Sequence, residues 1–340
     1  MSPIPIPGSA RITLAALAVL PAMLTYPWNS NRDYWLLGIA AVTVIVLFGW
    51  WRGLHFTTIL RRRLAIMGRR SNPTNVPPAE SAVNAKTTAL VRIGPCTTDD
   101  AVFPLGLLAG YLDRYGIRAD KIRITSRNNA SDVSRRETWV AITVAAAENL
   151  AALQARASRI PLHETAEVVA RRLADHLREI GWDANVVHAD DAPRWLTAKA
   201  RETWRAVHQG NSDYVAAYQL SVDDGLPGTF EAIRSHAARE TCTALELARP
   251  RSSRERLTVA AACAFLTDTP PGLTLPVPGL VVQRGNQGPA LAALDLLSTR
   301  RLDGHTDAPV GLLESLDWPT PRRARTGRPD PVRLVQHDAV

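Results

Sequence analysis

Three adjacent carboxylate pairs are the residues best suited to chemistry: Asp99-Asp100, Asp190-Asp191 and Asp223-Asp224. Paired carboxylates can hold a metal–nucleotide or divide acid and base roles. Neighbours on a turn more commonly just face water. Eight histidines are scattered, at His55, His163, His176, His188, His208, His236, His305 and His337, with no HExxH among them. His188, two residues before Asp190, is the His–Asp neighbourhood weighed for catalysis. No GxxxxGK[ST] loop, GxGxxG turn or GxSxG elbow occurs. Gly285-Asn286-Gln287-Gly288 precedes an apolar run and can offer backbone N–H groups to an anion. Its composition fits a plain connection better. Trp139, Trp182, Trp195 and Trp204 can stack bases, but without a Lys/Arg groove around them they read as packing residues. Cys96, Cys242 and Cys263 make no CxxC pair, and an odd count is no disulfide framework. Cys263 sits in an apolar run and reads as core, and the body fits a reducing cytosol. No catalytic, cofactor-binding or metal-binding residue is assigned, and no cofactor.

With chemistry unmarked, the chain's placement carries more information. Residues 12–31 hold no charge over 20 positions, and residues 34–51 none over 18. Each run approaches the ~20 apolar residues that cross a bilayer as a helix. The sequence therefore predicts an N-terminal two-helix transmembrane hairpin, with spans near 12–28 and 34–51 and a tip at 29–33. Pro21 lies within the first span and frees a carbonyl there. Tyr34, Trp35, Trp50 and Trp51 suit the two aromatic belts. Arg52, Arg61, Arg62, Arg63, Arg69 and Arg70 follow the second run, whereas the tip holds Arg32 offset by Asp33. The positive-inside rule then puts both termini in the cytoplasm of a multi-pass inner-membrane protein. The basic exit Arg61, Arg62, Arg63, Arg69 and Arg70 has two readings, contact with membrane lipids or a docking surface for a partner subunit. A cleaved signal peptide is not expected, because the first run exceeds an ordinary h-region and a second follows at once. The net charge of +8 comes from arginine, with lysine only at Lys86, Lys121 and Lys199. Positive charge gathers beside the apolar runs and near the C-terminus. That favours a membrane surface over nucleic acid.

Four regions follow: 1–70, the hairpin with its basic exit; 71–86, a proline-bearing linker; 87–305, a cytoplasmic α/β (mixed α+β) domain; and 306–340, a Pro/Arg-rich tail too polar to bury a core. In the body, strands are predicted at 87–93, 121–126, 137–145, 183–188, 214–222, 240–248 and 257–265, with a polar turn at 127–135. Helices are predicted at 104–115, 148–157, 161–181, 194–210, 228–237 and 287–298. The clearest, 161–181, carries the stripe Ala166, Val169, Ala170, Leu173, Leu177 and Ile180, with Glu167 four residues before Arg171. A helix followed by two strands occurs at 104–145 and again at 228–265, and Arg-Glu-Thr opens a strand at Arg136 and at Arg239. This suggests a pseudo-repeated architecture.

Several phrases carry a family resemblance: FGWWRGLHFTTILRRRLAI (48–66), GYLDRYGIRADKIRIT (110–125), NLAALQARASRIPLHETAEVVARRLADHLREIGW (149–182), RETWRAV (201–207) and VAAYQLSVDDGL (215–226). Together they resemble EccE, a membrane component of the type VII (ESX) secretion machinery, and most of all the EccE of the third ESX paralogue. The likeness spans about residues 11–305. It implies a non-catalytic structural subunit that assembles with EccB, EccC and EccD, EccC supplying the ATPase. The family offers no active-site residues to transfer. The rival reading is a membrane-tethered enzyme acting on a nucleotide-sugar or phosphate substrate through Asp190-Asp191 or Asp223-Asp224. It rests on α/β content alone.

Overall fold

The two uncharged runs form helices, α1 (Ser9–Leu24) and α2 (Asn31–Phe48). The computed structural model describes residues 9–24, 31–48, 50–51, 54–71, 85–98, 101–130, 132–154, 161–193, 200–210, 212–250 and 256–321. The chain forms two units, Met1–Val76 and Pro77–Val340. In the first, α1 packs on α2, and Ala22 and Ala40 are buried. A two-residue ribbon, β1 (Trp50–Trp51) with β2 (Leu54–His55), leads to α3 (Phe56–Ser71), which packs on α2. Among the described residues no helix is long and apolar enough to cross a membrane. The 16 residues of α1 rise about 24 Å, against a hydrocarbon core of about 30 Å. α2 has 18 residues but opens on Asn31, Arg32 and Asp33. Of the expected tip, residues 29–30 lie outside the described residues and 31–33 are the first turn of α2; nearly all of the linker also lies outside them.

The second unit runs β3 (Lys86–Cys96), α4 (Leu105–Gly110), β4 (Asp113–Arg114), β5 (Ile117–Asn129), β6 (Asp132–Ala145), α5 (Ala146–Gln154), α6 (Leu162–Glu179) and β7 (Trp182–Val187). Then come a 3-10 turn (Ala189–Asp191), β8 (Arg201–Glu202), β9 (Val207–Gln209), β10 (Asp213–Leu220), α7 (Leu226–Ser235), β11 (Glu240–Ala248) and β12 (Thr258–Thr267). Last are β13 (Leu280–Val282), α8 (Gln287–Leu294), β14 (Thr306–Asp307) and α9 (Leu312–Ser315). The main strand order is β7-β3-β6-β5-β11-β12-β10-β9-β8, antiparallel throughout, with β13 also on β10.

This order contains the repeat. The path β3-α4-β5-β6-β7 recurs as β10-α7-β11-β12-β13, and the halves meet where β5 pairs with β11. β6 therefore corresponds to β12, and β5 to β11. Of the two Arg-Glu-Thr phrases one lies within β6 and the other opens β11, strands that are not equivalent, so they do not mark the repeat. Only the first half inserts helices, α5 and α6, before its outer strand.

Both sheet faces are covered. On one, Leu108 of α4, Leu173 and Leu177 of α6, Ile233 of α7 and Leu312 of α9 join Ile122, Ile124, Leu245 and Leu247. The α6 stripe lies as its spacing predicts, except that Ile180 at the helix end is exposed. On the other face Leu291 and Leu294 of α8 pack on Val215, Ala217, Ala244 and Ala262, and Leu296 packs on Leu90, Trp139 and Ala141. Alanine is a weak strand former. Its density in β12 gives a flat central strand that both layers can approach closely.

Three expectations need correction. The described part of 194–210 is not helical: Arg201–Glu202 and Val207–Gln209 are edge strands. The polar turn at 127–135 is mostly strand, because β5 and β6 keep pairing to Asn129 and Asp132. The first part of the expected tail, 306–340, is folded. Thr306–Asp307 pairs with β12, and Trp318 is 2% exposed with its ring edge-on to Phe230. Residues 322–340 lie outside the described residues.

Candidate functional site

The carboxylate pairs do not converge. Asp190 and Asp191 sit exposed in the 3-10 turn after β7, with His188 exposed before them. Asp223 and Asp224 are exposed in the turn before α7, where Asp223 Oδ1 accepts the Gly225 N–H at 2.9 Å. Asp99 and Asp100 lie outside the described residues. The histidines serve packing or local bonds: His163 bonds Glu167, His176 the Tyr111 hydroxyl, and His208 and His236 lie on Tyr214 and Phe265. Among the described residues no three His, Cys, Asp or Glu gather as a metal site. Burial pushes the Cys242 thiol up to about 11 and raises Cys263 well above its ordinary range, so neither offers a thiolate.

Gly285 has a backbone reason. Its φ is +65°, and a Cβ there would lie 2.3 Å from the Trp204 ring. Its N–H bonds the Trp204 carbonyl at 2.8 Å. Gln287 is fully buried, takes the Ala217 N–H at 2.7 Å and donates to the Ala217 carbonyl at 3.3 Å. It fills the gap on β10 between the stretch paired with β9 and the stretch paired with β13. The loop thus fastens α8 to the sheet. Trp139 and Trp182 are buried, Trp182 against Phe103.

The strongest electrostatic feature lies at the junction of the halves. Lys121 and Arg123 on β5 point to the same face as Glu246 on β11. All three are at most 1% exposed. Glu246 Oε2 accepts Arg123 Nε at 2.8 Å, Arg123 Nη2 at 2.7 Å and Lys121 Nζ at 3.4 Å. Glu246 Oε1 lies 3.0 Å from His305 Nε2 and accepts the Leu302 N–H at 3.0 Å. Arg123 also donates to the carbonyls of Ala293, Asp295 and Arg300, and Lys121 to that of Arg300. Beside them Asp120 accepts from Lys86 at 2.9 Å and Arg301 at 3.0 Å.

Burial pushes the Glu246 carboxyl up. The His305 bond and the charges of Arg123 and Lys121 outweigh that and hold it near about 2. Burial and the Arg123 charge lower Lys121 to about 7, with Glu246 opposing. The cluster ties the segment after α8 to the central strands. Its groups are buried and bonded to one another and to the carbonyls of that segment. Sequence reasoning missed Lys121, Arg123 and Glu246. The available signal was the alternation Lys-Ile-Arg-Ile, which puts two cations opposite a buried apolar face.

The fold thus defines a class: an α/β body of two repeated half-sheets that follows an apolar helical segment in the chain, with an ionic cluster buried where the halves join. The family model described as "Putative type VII ESX secretion system translocon, EccE" matches residues 132–220. The chain is 60% identical over 322 residues to "ESX-3 secretion system protein EccE3" of Mycobacterium tuberculosis (strain CDC 1551 / Oshkosh), covering 94% of this chain and 95% of that relative. The protein of the same name from Mycolicibacterium smegmatis (strain ATCC 700084 / mc(2)155) is 45% identical over 297 residues, covering 87% and 90%. The chain belongs to the EccE family, and its similarity is to the ESX-3 type.

Proposed function

We propose that this chain is a non-catalytic structural subunit of a type VII (ESX) secretion complex in the inner membrane. The observation that carries this is near full-length similarity to proteins named for ESX-3 secretion. The partners are EccB, EccC and EccD, and the complex exports small helical substrate proteins. The exposed faces of the first unit support a membrane placement. Leu17, Leu20 and Met23 on α1 and Trp35, Ile39 and Val42 on α2 all face outward. In this reading α1 and α2 make the spanning hairpin, and both termini face the cytoplasm.

On α3, Leu60, Leu64 and Met67 form an exposed stripe at i, i+4 and i+7. Arg61 and Arg63 flank it and Arg62 is half-buried. A basic helix with one apolar stripe suits an anionic leaflet, where each arginine contributes about 1 kcal/mol. Arg61, Arg62, Arg63, Arg69 and Arg70 are the lipid contacts in this reading, and nucleic acid is not a ligand.

The test is affinity purification of the tagged full chain in mild detergent. Recovery with EccB, EccC and EccD is expected; recovery alone would overturn the proposal. Alanine at Asp190, Asp191, Asp223 and Asp224 together should leave complex and secretion intact, and lost secretion from an intact complex would revive the enzyme reading.

A further inference from the structure

Tyr115 stands where the backbone asks for another residue. It and Gly116 are the two connecting residues between β4 and β5, which pair as Arg114 with Ile117. Both have positive φ, +56° and +74°. Such a turn favours Asn-Gly, and an aromatic residue pays a steric penalty in the left-handed region. Tyr115 is the one non-glycine with positive φ among the described residues. Its side chain buries little in return: it is 54% exposed.

That ring has company. The Arg114 guanidinium lies 5.1 Å from its centroid and the Arg172 guanidinium 4.7 Å. Arg114 also lies 4.7 Å from the Tyr111 ring. Tyr111 is buried and donates to the Arg172 carbonyl at 3.1 Å, so it fixes the hairpin to α6. Neither Arg114 nor Arg172 forms a salt bridge among the described residues. Stacking pins both cations while leaving their N–H edges free, the geometry that favours bidentate capture of a carboxylate. Arg114, Tyr115 and Arg172 border one side of an open cavity of about 340 Å³, and Asp175, His176 and Glu179 complete its lining.

We infer that Arg114, Tyr115 and Arg172 form a docking site for an acidic segment of a protein partner, with Tyr115 as the aromatic anchor. Tyrosine and arginine are the residues that dominate interface hot spots. The rim explains why the ligand is a discrete carboxylate and not an anionic membrane. Asp113, Asp175 and Glu179 are exposed around the stack, and a continuous negative surface would meet all three. Asp175 is occupied by Arg178. Glu179 lines the same cavity about 10 Å along α6 from Arg172, so a discrete acidic group seated over the stack meets the arginines first, whereas a continuous negative surface meets both of its carboxylates.

The decisive variant is Tyr115→Asn, which suits the turn and removes the ring. It should melt no lower than the parent, which separates docking from folding. Full-length chain in nanodiscs is titrated with a fluorescein-labelled octapeptide of glutamates and leucines, and with a counterpart carrying lysines in place of the glutamates. The acidic peptide should bind, the basic one should not, and Tyr115→Asn or Arg114→Gln with Arg172→Gln should weaken binding at least tenfold. Unchanged affinity in the variants, or no binding to the parent, overturns the site. In assembled membranes a benzophenone amino acid at position 115 should crosslink to a partner segment with Asp or Glu within three residues of the adduct. Adducts with lipid alone, or with a segment lacking acids, overturn it as well. Neither readout depends on which subunits co-purify, so this inference and the assembly proposal fail separately.

Discussion

Glu246→Gln tests the ionic centre most directly. The wild-type carboxylate takes bonds from Arg123 and Lys121 on one oxygen and meets His305 and the Leu302 N–H on the other. A carboxamide keeps the shape and loses the charge. Its NH2 must face either the two cations or the Leu302 N–H, donor against donor. Lys121 and Arg123, each 1% exposed, are then left without a counter-charge. Breaking a buried pair in this way costs about 3–5 kcal/mol, against a total stability of about 5–15 kcal/mol for an ordinary domain. At about 2–4 °C per kcal/mol for a body of this size, the melting point should fall by about 6–20 °C. The assay is thermal unfolding of the detergent-solubilised full chain followed by tryptophan fluorescence. Amide exchange should rise first in residues 293–305, which the cluster holds. Replacing all three charges together, with Lys121→Met, Arg123→Met and Glu246→Leu, should recover much of the loss, because three apolar groups leave no orphaned charge. A loss below 1 kcal/mol for Glu246→Gln, or a triple variant weaker than the single one, would refute the account.

Stability should also depend on pH in two windows. Glu246 is depressed to about 2 from 4.5, so its contribution is present above about pH 4.5 and is lost as pH falls toward 2. Lys121 is lowered to about 7 from 10.5. Between those values the unfolded chain holds more protons, so denaturation midpoints should climb with pH, and Lys121→Met should flatten that climb. Gln287→Leu leaves the Ala217 N–H and carbonyl without their side-chain partner and should cost about 2–4 kcal/mol by chemical denaturation. Trp318→Ala empties a site packed against Phe230 and should cost about 3–5 kcal/mol, whereas a residue in a solvated tail would cost nothing.

Strong periodicities were readable. The stripe on α6 buries one helix face against the sheet, the alternation of β10 divides its residues between two covering layers, and β11 keeps the bounds its apolar run gives. The repeat was legible as an order of elements, although the tripeptide offered as its mark was coincidental. Three things were hidden. Residues 194–210 read as a helix carrying Trp195 and Trp204, yet the open edge of β10 recruits 201–202 and 207–209 as strand, and tertiary pairing overrides local pattern. Residues 127–129 are polar and extended because ladder pairing depends on the backbone and not on apolar side chains. The ionic centre was invisible for a third reason. Alternation hands Lys121 and Arg123 to the face opposite Ile122 and Ile124, which a one-layer reading gives to water. The second layer, α8 and the segment after it, turns that face inward. Arg123 finds Glu246 123 residues later and the Arg300 carbonyl 177 residues later.

That distance has a consequence for biosynthesis. Until β11 is made, β5 is an unpaired outer edge, first of a growing and then of a finished half-sheet, a long row of backbone groups open to any passing strand. With 123 residues between Arg123 and Glu246, a ribosome adding about 5–20 residues per second leaves that edge bare for roughly 6–25 s. During this wait Lys121 and Arg123 are solvated charges on an edge strand, the device by which sheets repel unwanted partners. The same two side chains guard the nascent chain first, and become its internal clamp once Glu246 and residues 293–305 arrive.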